Sequence, residues 1–168
     1  MFFNNKNMKI ESLIGKNILN VPFEYKVLDS VGNSGSITYL ITGAKQEFYT
    51  KPLKHILVKT DEEGVIKQLL TDFQGIVDEE FYRFLALEFG KADLMLKHEI
   101  ETQRKVIQVN GTTSTETKST LKKCGIGDDP LFIIWDNPEL KMMLSIIRES
   151  NKTELTIGDI PFTKDTIK

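Results

Sequence analysis

The chain has 168 residues, 22 basic and 24 acidic side chains, a formal net charge of −2, 40% apolar residues and one cysteine. This length suits one domain that is stable without disulfides or metal. The apolar fraction excludes a disordered chain, and the charge balance gives no concentrated basic face for nucleic acid. One cysteine excludes an intrachain disulfide. No stretch approaches the ~20 apolar residues of a membrane helix. The opening "MFFNNKNMK" lacks the apolar run of a secretory signal, so the expectation is a cytoplasmic protein with no membrane partner.

Residues 9–19 place Ile10, Leu13, Ile14 and Ile18 near helical spacing and predict a short helix weakened by Gly15. Val21-Pro22 then forces an extended exit. In "EYKVLDSVGNSGSITYLITG", two alternating runs flank Gly32-Asn33-Ser34-Gly35 and predict a hairpin. "QEFYTKPLK" reads as a loop or edge segment, because Pro52 cannot donate to a central ladder.

"HILVKTDEEGVIKQLLTDFQG" predicts a second hairpin, turned at Asp61-Glu62-Glu63-Gly64. Both faces of its second strand carry apolar residues, which suits a central strand covered on both sides. "GIVDEEFYRFLALEFGKAD" predicts a helix over 79–89. Asp78 is its N-cap, Glu79 and Glu80 favour the positive end of the helix dipole, and Gly90 ends it. Phe81, Leu85 and Phe89 form its buried stripe.

Beyond it, "LMLKHEI" alternates as one strand and "RKVIQVNGTT" holds another, ending at the turn Asn110-Gly111. "TTSTETKSTLKKCGIGDDP" reads as a strand leading into a short helix or loop. "LFIIWD", "LKMMLSIIRE" and "TELTIGD" predict three meandering strands, followed by a loose tail over 161–168. The helix ending in "FGKAD", the strands after it and the late "FIIWD" resemble helix-plus-antiparallel-sheet modules of the β-lactamase-inhibitor and outer-membrane-assembly-lipoprotein type. No site residues are transferred from that resemblance. The expected fold is α+β: one domain built on a twisted antiparallel sheet of about six to eight strands, with one main helix packed on a face.

The motifs of common chemistries are missing. The sequence has no Cys-x-x-Cys, His-x-x-x-His, HExxH, GxGxxG or GxxxxGK[ST], so no metal or cofactor is expected. The adjacent carboxylates of Asp61-Glu62-Glu63 diverge instead of converging on a cation, so a solvated corner is the expected reading. Nucleophilic catalysis has Cys124, His55 and His98 as its candidates, with no local signature.

Charge is uneven along the chain. Asp61 to Glu80 holds seven acids and one base, whereas Lys97 to Lys123 holds six bases and three acids. The helix is also apolar round more than half its circumference, leaving Phe84 and Leu87 for a second surface. These features point to a soluble non-enzymatic interaction module. Its partner protein would be bound through an acidic patch that includes Glu62, Glu63, Glu79 and Glu80, beside Phe84 and Leu87. The alternatives are a carrier of a small apolar ligand near Phe84, Trp135 and Met142, or an unrecognised hydrolase or transferase using Cys124 or His98.

Overall fold

The computed structural model describes residues 9–30, 35–42 and 46–162. Its first strands follow from short-range chemistry. β1 (Glu24–Ser30) and β2 (Ile37–Thr42) form the first expected hairpin; most of its turn, 31–34, lies outside the described residues. β3 (Glu47–Phe48) is a two-residue strand against the start of β4 (Lys51–Thr60), where Glu47 faces Pro52. The proline therefore sits where the ladder is thinnest. β4 turns into β5 (Ile66–Gln74) at the acidic corner. There Asp61 Oδ1 accepts from the N–H groups of Glu63 (3.1 Å) and Val65 (2.9 Å). Gly64 takes φ +80°, which a side chain would disfavour.

The helix α1 (Glu79–Phe89) has the expected limits. Asp78 Oδ1 accepts from the N–H of Phe81 at 2.8 Å, satisfying a donor of the first turn. The chain continues through β6 (Leu94–Ile107), β7 (Thr113–Lys123), β8 (Phe132–Asp136), β9 (Lys141–Ile147) and β10 (Lys152–Gly158). All pairings are antiparallel, in the order β1-β2-β4-β5-β10-β9-β8-β6-β7, with β3 on β4.

Ten strands exceed the expected six to eight. One source of the excess is the very short β3, in a segment expected to be loop or edge; the threonine-rich segment is a strand over Thr113–Lys123, as expected, followed by only a 3-10 turn at Ile126–Asp128. β-Branched threonine favours the pleated backbone over a helix. The predicted helix over 9–19 is instead two 3-10 turns, Ile10–Leu13 and Ile18–Asn20, separated at Gly15.

Two apolar layers flank the sheet. Leu69, Ile157, Met142 and Trp135 face one another across β5, β10, β9 and β8, all buried. They share a cluster with Phe81, Tyr82 and Leu85 of α1 and with Ile10, Leu13 and Ile18. The opposite face carries a smaller cluster of Leu94, Leu96, Ile134 and Met143, against which Ile160 and Phe162 pack. The ring of Phe162 meets that of Phe132 at 5.1 Å. β6 pairs with β8 only over Leu94–Leu96, and with β7 from Leu96 onward, so beyond Leu96 β7 is its one paired strand among the described residues. The β6–β7 ribbon thus runs about 35 Å beyond the last β8 pairing.

Candidate functional site

α1 sorts its residues by face. Phe81, Tyr82 and Leu85 are buried against the sheet, and the Trp135 indole N–H donates to Gly90 O at 2.9 Å where the helix ends. The remaining arc faces outward. On it Phe84 is 45% exposed and Leu87 is 88% exposed, three residues apart and therefore on adjoining turns. Phe84 has aromatic support beneath it, from Tyr49 (5.8 Å between ring centres) and Phe81 (6.3 Å).

A cleft of about 290 Å³ opens beside Phe84, lined by Thr50, Lys51, Asp78, Glu80 and Phe81. The Lys51 ammonium lies 5.1 Å from the centre of the Phe81 ring, a cation–π contact along one wall. Asp78 is committed to the helix cap and Glu79 to an i,i+4 pair with Arg83 at 2.6 Å. Glu80 is exposed at the cleft. Tyr49, whose ring meets that of Phe84, donates to Glu11 at 2.6 Å. Burial, then that carboxylate, pushes the Tyr49 phenol well above its ordinary value, so it remains a neutral donor.

Glu62 and Glu63 are exposed at the β4–β5 corner, whereas Glu79 and Glu80 follow the far end of β5. The strand between separates the two pairs by about 25 Å. The four carboxylates are therefore two acidic points, of which only the helix pair adjoins Phe84 and Leu87. Asp61 is taken up by the turn. The backbone N–H of Val65, followed by Lys67 at 3.2 Å, holds its carboxyl below the usual carboxylate range. The basic segment maps onto the β6–β7 ribbon. Three of its six bases are paired there: Lys97 with Asp128, Lys118 with Glu101 and Lys122 with Glu99.

Residues considered for catalysis are not gathered. Cys124 N–H donates to Met95 O, and Met95 packs on the helix-bearing cluster. His98 pairs with Leu121 two residues beyond Leu96, on the other face of the ribbon. Burial, then Asp128, raises the Cys124 thiol above its ordinary value, which disfavours the nucleophilic thiolate. Trp135 and Met142 are wholly buried among packed side chains, and Phe84 stands outside them on the helix surface. No group of three His, Cys, Asp or Glu side chains among the described residues could hold a metal ion.

Pairing of β5 with β4 and β10 makes a second cleft that sequence spacing does not foreshadow. It holds about 300 Å³ on the face away from α1 and is lined by His55, Leu57, Leu70, Asp72, Glu154 and Thr156. His55 sits at φ +46° within a register shift between Lys54 and Leu57. Lys152 spans Asp72 (3.6 Å) and Glu154 (2.9 Å), and the Glu154 hydrogen bond raises the lysine above its ordinary value. The ammonium thereby offsets much of the negative charge of this cleft.

No protein-family model, curated protein or solved structure matches the chain. Among the described residues no helix is long and apolar enough to cross a membrane.

Proposed function

We propose that this protein is a non-enzymatic interaction module, and that the outer face of α1 receives a partner protein. The observation that carries this reading is the exposed pair Phe84 and Leu87 on a helix whose other large side chains are mostly buried, beside a cleft edged by Glu80. An apolar pair over an aromatic base can seat an apolar anchor from a partner and shed water. Glu79 and Glu80 then favour a basic residue next to that anchor. Glu62 and Glu63 contribute only to a partner long enough to follow β5.

Pull-down from the native host with chemical cross-linking tests the reading. Phe84→Ser/Leu87→Ser is expected to abolish capture of a specific protein, and Glu79→Lys/Glu80→Lys to weaken it. Retained folding is checked through the fluorescence of Trp135. Capture of the same protein at wild-type yield by both folded variants would refute it.

A further inference from the structure

The distal β6–β7 ribbon is a structure without support. Residues 100–105 are exposed on both faces, as are Ile107, Val109 and residues 115–119. A two-stranded ribbon with neither face covered is marginal in water, and three or more strands are the usual remedy. Among the described residues β7 is also the last strand of the sheet, with no strand paired on the outer side of its eleven-residue backbone.

Hydrogen-bond phase says which groups are open. Gln108 N–H donates to Thr112 O, and Cys124 N–H donates to Met95 O. Antiparallel strands alternate between bonded and non-bonded pairs. Even-numbered residues of β7 therefore turn their backbone groups towards β6. Thr113, Thr115, Thr117, Ser119 and Leu121 present theirs outward.

We propose that this edge binds the same edge of a second copy of the chain, antiparallel, about a two-fold axis through Thr117. In that register Thr117 faces its own counterpart, Thr115 faces Ser119 and Thr113 faces Leu121. These are the residues with outward groups, and they form about ten new backbone hydrogen bonds. Glu116 meets Lys118 on both sides of the axis, in the non-bonded positions where side chains approach most closely. Hydroxyl-bearing residues oppose one another at the centre, another favourable cross-strand pairing. The two marginal ribbons become one four-stranded sheet.

Charge selects this alignment over its neighbours. Centring on Lys118 sets ammonium against ammonium, and centring on Glu116 sets carboxylate against carboxylate. Centring on Ser119 directs Glu116 to Lys122, which already pairs with Glu99. Lys118 has only a loose 3.5 Å contact with Glu101 and is well exposed. An edge with lysines usually resists pairing; here Lys118 is matched by a glutamate two residues away, so the register centred on Thr117 sets opposite charges together on both sides of the axis.

Sedimentation velocity and light scattering on the full chain test this. The wild-type protein is expected to run at twice the chain mass, with dissociation on dilution. Glu116→Lys alone places lysine against lysine, and Lys118→Glu alone places glutamate against glutamate. Each is expected to weaken self-association about tenfold or more. An equimolar mixture of the two variants restores both opposite-charge contacts and is expected to recover the double mass. That recovery does not follow from mere damage to the ribbon. Thr117→Pro removes an outward N–H at the axis, leaves the β6 ladder in place and is expected to give monomer. A monomeric wild type, variants that self-associate like wild type, or a mixture that stays monomeric would each overturn the proposal.

Discussion

Leu85 and Leu87 lie two residues apart on one helix and have opposite surroundings, fully buried and 88% exposed. Replacing either with alanine changes helix propensity by almost the same small amount, so the difference between the variants isolates tertiary packing. Leu85→Ala removes about three buried carbons, which at ~0.8 kcal/mol each gives roughly 2.4 kcal/mol of lost transfer energy. The cavity between α1 and the sheet raises the expected loss to roughly 3–4 kcal/mol. Leu87→Ala is expected to stay within about 0.5 kcal/mol. Urea unfolding followed by fluorescence reads both, because Trp135 is the only tryptophan and lies 6.1–6.2 Å from Phe89 and Tyr82 of α1. With a slope of about 2 kcal/mol/M, the Leu85 variant should unfold about 1.5–2 M urea earlier. Equal midpoints for the two variants, or a Leu85 shift below about 0.5 M, would refute the assignment of faces on α1.

Gly158 has φ +95°, and a Cβ there would collide with the carbonyl oxygen of Lys67 on β5. Gly158→Ala is expected to lower stability by roughly 2–4 kcal/mol in the same assay, and an unchanged midpoint would refute that close approach. For Asp61, the folded carboxyl lies below its unfolded value. Its contribution is therefore full above the ordinary carboxylate range and is lost as pH falls through the lowered folded value. Asp61→Ala should thus be less stable than wild type at neutral pH, with the gap closing in strong acid. A gap independent of pH would show that the charge has no part in holding the corner.

Much of the local architecture was legible in the sequence. The limits of α1 follow from Asp78 and Gly90, and the β4–β5 corner from Asp61-Glu62-Glu63-Gly64. The last three strands also follow from alternating apolar runs. The segment 113–123 was harder to read, because its threonines suit a strand while Thr113 and Glu116 have capping-box spacing; pairing with β6 decides for strand. The helix over 9–19 fails for the converse reason. Ile10, Leu13 and Ile18 are buried as expected, but by filling one side of the sheet as short 3-10 turns.

The sequence by itself determined what lies within a few residues: where α1 starts and stops, which turns close, and that Phe84 and Leu87 fall outside the helix's apolar stripe. Tertiary structure alone decided which strands are neighbours. β10, near the end of the chain, is inserted between β5 and β9, and β6 joins β8 and leaves β7 at the rim. That order sets Glu62 and Glu63 far from Glu79 and Glu80, joins Asp72 to Glu154, and, among the described residues, leaves no strand on the outer side of Thr113 to Leu121. The physical reason is range. Caps and turns are satisfied by groups a few bonds away, whereas strand pairing is chosen by burial of whole faces contributed from distant parts of the chain.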